Sequence, residues 1–125
     1  MFHPFKKNSI FKKFHTMKIT TETNGPDAFV QVEGRIDTTN YNEFENAVND
    51  VLNGSVKQMY LDCSGLNYIS SSGLRIFLAL QKKMMTTGGK LKLFAMQPSI
   101  REIFDISGFS SIFAIFPDKA TALQA

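Results

Sequence analysis

Residues 60–74 read Tyr60-Leu61-Asp62-Cys63-Ser64-Gly65-Leu66-Asn67-Tyr68-Ile69-Ser70-Ser71-Ser72-Gly73-Leu74. The first part belongs to an alternating run. Met59, Leu61 and Cys63 fall on one side and Gln58, Tyr60 and Asp62 on the other, the two-residue period of a strand over residues 56–63. The last part opens a helix over residues 72–87. Leu74, Phe77, Leu78, Met84 and Met85 line one face of it, and Ile76 and Leu80 widen that face. So broad an apolar surface fits a helix covered on more than one side. A strand that hands over to a helix, with another strand to follow, is a crossover unit, and crossover units build parallel sheets.

Downstream, residues 90–95 alternate again. Leu91, Leu93 and Ala95 point inward, and Lys90 and Lys92 are expected outward. Pro98 or Ser99 is expected to start a helix that buries Ile100, Ile103 and Phe104; Ser99 and Glu102 have capping-box spacing, and Ser107-Gly108 stops it. A short strand over residues 111–116 and a terminal helix over residues 118–125 complete the chain.

Upstream, residues 17–22 and 28–33 read as strands joined by the turn Asn24-Gly25-Pro26-Asp27, a hairpin. Gly34 is expected to end the second strand. Thr38-Thr39 are candidate N-caps for a helix over residues 40–53, with Tyr41, Phe44, Val48, Val51 and Leu52 on one face and Gly54 closing it. The order is β-β-α-β-α-β-α-β-(α). It predicts an α/β fold with a mixed, largely parallel sheet of four or five strands and helices mainly on one face. Leu61, Leu74, Phe77, Leu78, Leu91, Leu93, Ile103 and Phe104 are the expected core.

Composition narrows the function. The chain has 125 residues, 43% hydrophobic and 20% charged, which suits one domain with its own core. Its net charge of +3 comes from residues 1–16, where four lysines meet no acid; residues 17–125 carry ten basic and eleven acidic residues. No basic surplus remains in the domain to neutralise nucleic-acid phosphates. Residues 1–16 interleave those lysines with Phe2, Phe5, Phe11 and Phe14, and are expected to be an unstructured extension dispensable for folding and partner binding. An aromatic-basic stretch lying on a membrane surface is the other reading. No apolar run reaches the ~20 residues of a membrane-spanning helix.

Both histidines, His3 and His15, lie in that extension, and Cys63 is the sole cysteine. A Ser-His or Cys-His catalytic pair within residues 17–125 is therefore excluded, as are histidine-ligated zinc and a thiolate cluster. A carboxylate-only or serine-lysine mechanism stays formally open, but nothing marks one. Cys63 reads as a small core residue, and Lys82, Lys83, Lys90 and Lys92 as a solvated face.

Ser70-Ser71-Ser72-Gly73 sits where backbone N–H groups lack intrahelical partners and the dipole is positive, a place that accepts a phosphate. Serines there also serve as plain N-caps. The surrounding sequence adds to this. The 60–74 run resembles the STAS domain of anti-sigma factor antagonists, which carry a strand, an Asp-containing turn, an apolar pair and then Asp-Ser-Ser-Gly-Leu. Gly34-Arg35-Ile36-Asp37 is similar to the family's Gly-x-Leu/Ile-Asp segment, and Phe104-Asp105-Ile106-Ser107-Gly108-Phe109 to its Phe-x-x-(Ser/Thr)-Gly-Leu helix end. The similarity spans residue 17 to about residue 123.

The resemblance implies a STAS fold over residues 17–125 and a non-enzymatic, cytoplasmic partner-switching protein without a cofactor. Its partners would be an anti-sigma factor that is also a serine kinase, and a metal-dependent serine phosphatase. Ser71 aligns with the phosphoacceptor. Asp37 matches the acid near that site, and Ser72 and Gly73 the next two motif positions. Ser70 stands where the family often has Asp, which removes one negative charge and leaves Ser70 as a competing acceptor. A STAS module of a transporter-associated or stress-signalling assembly is the alternative role.

Overall fold

The computed structural model describes residues 7–14, 16–53 and 55–125, and side chains for residues 10, 11 and those from 16 onward within these ranges. Six strands form one sheet in sequence order: β1 (Lys7–Phe14), β2 (Met17–Asn24), β3 (Asp27–Ile36), β4 (Gln58–Ile69), β5 (Lys90–Phe94) and β6 (Ala114–Phe116). The pairs β1–β2 and β2–β3 are antiparallel, and β3–β4, β4–β5 and β5–β6 are parallel. Helices α1 (Tyr41–Leu52), α2 (Ser71–Thr86) and α3 (Pro98–Ile106) make the crossovers, and α4 (Lys119–Gln124) ends the chain. The mixed, largely parallel α/β architecture expected from sequence is present, with six strands.

The sixth strand is β1. The expectation of an unstructured extension is corrected for Lys7–Phe14, which pair residue by residue with β2, from Lys7 opposite Asn24 to Phe14 opposite Met17. Without β1, the free N–H and C=O groups of β2 would form the sheet edge. Lysines are common on edge strands because they discourage further pairing. The expectations for residues 1–6, His15 and Gly54 lie outside the described residues.

The main core lies between α1–α3 and one sheet face. Phe77 of α2 is its centre, stacked on Phe44 of α1 at 5.5 Å between ring centroids and edge-on to Phe104 of α3 at 5.8 Å. Every expected core residue is buried or packed against this cluster. Met85 is not part of it: it is 67% exposed.

The opposite sheet face is covered only in part. There α4 places Ala122 against Tyr60 and Phe94. This corrects Lys92, expected in solvent: it is 5% exposed, and its Nζ donates to the carbonyl oxygens of Ala122 and Ala125. Alternation assigned Lys92 to the correct face, but α4 lies over that face.

Two boundaries and one cap also differ. Gly34 does not end β3, which runs to Ile36 through register shifts at Gln31/Glu33 and Gly34/Arg35. Gly34 has φ +93°, and a Cβ there would collide with the Thr16 carbonyl oxygen. β4 continues past Cys63 to Ile69, because Leu66 and Ile69 are buried and pair alongside the end of β3. α3 starts at Pro98, the earlier of the two expected starts, with Gln97 as its N-cap, so the capping box at Ser99 is not formed. Among the described residues no helix is long and apolar enough to cross a membrane.

Candidate functional site

Parallel pairing makes β3 and β4 finish side by side. Ile36 pairs with Ile69, and the Ser70 N–H donates to the Ile36 carbonyl at 2.8 Å. Asp37 and Ser70 therefore leave the sheet as neighbours at one end. Ser70 is extended (φ −83°, ψ 171°) and is the N-cap of α2; its Oγ accepts from the Gly73 N–H at 3.2 Å. The helix thus starts at Ser71, one residue earlier than expected. Gly73 is required by contact: a Cβ would lie 2.8 Å from both Ile36 Cγ2 and Ile69 Cγ1. Its absence lets the first turn of α2 close onto the ends of β3 and β4.

The three serines differ in environment. Ser71 is exposed at the first helical position, and Ser70 and Ser72 are half-buried. The Ser70 hydroxyl is already engaged as a cap. The backbone N–H groups of Ser71 and Ser72 have no acceptor among the described residues, and the first turn of α2 carries no acid. Free N–H groups and a positive helix end favour an anion here.

Asp37 sits in a tight polar turn. Its Oδ1 accepts from the Thr39 hydroxyl at 2.6 Å and the Thr39 N–H at 2.9 Å, and its Oδ2 is 3.7 Å from Arg35 Nε. The Thr39 hydroxyl, the Thr39 N–H and the Arg35 charge hold the Asp37 carboxyl below the usual carboxylate range. Asn40 is the N-cap of α1, in place of the expected Thr38-Thr39, and its side chain locks this turn rather than capping the helix. Asn40 Oδ1 accepts from the Asp37 N–H, while Nδ2 donates to Thr16 Oγ1 and to the Arg35 carbonyl, each at 2.9 Å.

All five residues singled out from sequence, Asp37 and Ser70 to Gly73, thus belong to one end of the sheet. Sequence reasoning missed Asn40, and it missed the pair formed by Arg35 and Tyr68. The Arg35 guanidinium lies 4.0 Å from the Tyr68 ring centroid, a cation–π contact at the same end of β3 and β4. No local pattern announces either, because each depends on parallel pairing or on Thr16. Cys63 is buried as expected. Burial, with a smaller contribution from the Asp62 charge, pushes its thiol pKa far up.

The STAS domain family model matches residues 18–122. The chain belongs to the STAS domain family. BtrV of Bordetella bronchiseptica, named provisionally as an anti-sigma factor antagonist, is 31% identical over 109 residues, covering 87% of this chain and 94% of BtrV. The anti-sigma-B factor antagonist of Staphylococcus aureus is 24% identical over 98 residues, covering 77% of this chain and 91% of that protein.

Solved structures share the fold. An anti-sigma factor antagonist from Mycobacterium paratuberculosis superposes with TM-score 0.73 at 22% identity, covering 99% of this chain and 97% of that one. The Bacillus cell fate determinant SpoIIAA in its phosphorylated form gives 0.63 at 14% identity, with coverage of 94% and 97%.

Proposed function

We propose that this chain is an anti-sigma factor antagonist that works by partner switching. Unphosphorylated, it binds an anti-sigma factor that is also a serine kinase; phosphorylation of Ser71 ends the binding, and a metal-dependent serine phosphatase restores it. The domain is the ligand and the substrate, and its partners supply the catalysis. The observation that carries this reading is the state of Ser71: an exposed hydroxyl at the first position of α2, beside two N–H groups without acceptors among the described residues. The names of the relatives and the existence of a phosphorylated SpoIIAA structure agree with it.

A phosphate adds about −1.5 to −2 charges. The helix end partly neutralises that charge, so the fold survives. In a packed partner contact the same dianion must lose water, which costs several kcal/mol without a matching cation. At about 1.4 kcal/mol per tenfold, that weakens binding a hundredfold or more.

Intact-mass analysis after incubation with ATP and each candidate kinase, with the modified peptide mapped, tests the assignment. One phosphate on the native chain and none on Ser71→Ala, which keeps its partner, is the expected result. Ser71→Asp should weaken partner binding with an unchanged circular dichroism spectrum. A Ser71→Ala chain that is still fully modified overturns the residue assignment. A chain that no kinase modifies, with Ser71→Asp binding as tightly as wild type, overturns the switch.

A further inference from the structure

A second concavity lies at the other end of α2. The 16 residues of this helix span roughly 24 Å at about 1.5 Å per residue, so it is well separated from Ser71. It is a cleft of about 570 Å³ between the C-terminal ends of α1 and α2 and the segment entering β4, and its lining contains no aspartate or glutamate. That volume lies within the range of roughly 300–1,000 Å³ usual for small-molecule sites. Lys57, Lys82 and Lys83 line it, together with the apolar Leu52 and Val56.

Several cations elsewhere have partners. Lys18 faces Glu33 at 2.9 Å, Arg101 faces Asp105 at 3.1 Å, and Lys92 is held by the carbonyls of the α4 segment. In the cleft, Lys83 Nζ donates to Asn49 Oδ1 at 2.7 Å, which holds an ammonium across the mouth without neutralising it. Lys57 and Lys82 have no side-chain partner among the described residues.

Two helix C-termini would ordinarily repel an anion. Here the last turn of α2 is covered by its own side chains. The Thr86 hydroxyl donates to the Lys82 carbonyl at 2.8 Å, and the Thr87 hydroxyl to the carbonyls of Lys83 at 3.4 Å and Met84 at 3.1 Å. What faces the cleft is three positive charges beside an aliphatic patch.

We infer that this cleft binds an organic phosphate monoester, with its dianion against Lys57, Lys82 and Lys83 and its apolar body against Leu52 and Val56. A dianion answers a local charge of +3 better than a carboxylate does, and the aliphatic patch favours an ester with a body over the free ion. A soluble phosphate ester and a lipid headgroup share this chemistry.

The test is a two-dimensional ¹H–¹⁵N NMR titration of the full chain with phenyl phosphate. Saturable shifts are expected at the amides of Asn53, Lys57, Thr87 and Gly88, with Ser71 to Gly73 unmoved. Inorganic phosphate should bind at least tenfold more weakly. The Lys57→Gln/Lys82→Gln double variant should lose at least tenfold in affinity, with circular dichroism and melting temperature unchanged. Co-sedimentation with phosphatidic-acid vesicles separates the sources: binding that needs the same lysines identifies a headgroup, and phenyl phosphate binding without it identifies a soluble ester. Shifts centred on Ser71 to Gly73, no saturation, equal binding of inorganic phosphate, or an unaffected double variant would each overturn the inference.

Discussion

Ser70 is the residue at which the capping and signalling readings separate, and one substitution tests both. Its Oγ accepts the Gly73 N–H at 3.2 Å, toward the long end for such a bond, in a half-buried position. Removing an N-cap oxygen costs about 0.5–2 kcal/mol. The long bond argues for the lower half of that range, so Ser70→Ala should lose about 1 kcal/mol. For a chain of 125 residues the unfolding entropy per residue converts this to a fall of about 4 °C in melting temperature. Ser70→Asp keeps an acceptor at the cap and adds a negative charge to a helix start that has no acid in its first turn, so it should be within about 0.5 kcal/mol of wild type or better. Urea unfolding at constant m-value measures both variants. In the same samples, kinase treatment should still place one phosphate on Ser71, because neither variant removes that hydroxyl. If Ser70→Ala is as stable as wild type, or Ser70→Asp falls as far as Ser70→Ala, the cap argument fails. If Ser70→Ala alone abolishes phosphorylation while the fold is intact, the acceptor is Ser70.

Three further outcomes follow from the geometry. Gly34→Ala forces a side chain into φ +93° and drives its Cβ into the Thr16 carbonyl, so it should destabilise by about 2 kcal/mol or more in chemical denaturation; an unchanged midpoint would mean that β2 and β3 do not meet as described. Asp37 is held below its unfolded pKa by Thr39 and Arg35, so its contribution to stability is present above the unfolded value and disappears as pH falls through the lower folded value; Asp37→Asn should flatten the stability–pH curve on the acid side, and a carboxyl titrating at or above the ordinary value by ¹³C NMR would contradict this. Cys63 should resist thiol reagents in the native state and react at once in denaturant, because the buried thiol is held protonated; rapid native-state labelling would place it at the surface.

The legible parts of the sequence were those governed by local periodicity. Alternation around Leu61 and Leu93 and the broad face around Phe77 gave the crossover units, and the serine run marked the helix start to within one residue. What escaped depends on contacts between distant segments. β1 pairs along its whole length with β2, but its lysines and phenylalanines gave no two-residue alternation to read, only a charge surplus. In β4 the alternation breaks near Ser64-Gly65, where the register with β3 shifts, so a continuous strand read as strand plus link.

Asn40 shows why a site can be half legible. Its neighbours Thr38 and Thr39 are good N-caps by type, and Asn40 is one as well, so composition could not choose among them. The choice is made by Thr16, 24 residues earlier, whose hydroxyl accepts from Asn40 Nδ2. That contact fixes the turn that presents Asp37, and the Arg35 carbonyl on the same amide ties the turn to β3. Gly34 contributes to the same arrangement, since its missing Cβ lets Thr16 approach and the Arg35 N–H reach the Thr16 carbonyl at 2.9 Å. The Gly34-to-Asp37 segment therefore acts as a structural unit: glycine admits Thr16, arginine stacks on Tyr68, isoleucine enters the core beside Ile69, and the aspartate carboxylate is held by Thr39 and Arg35 where β3 ends.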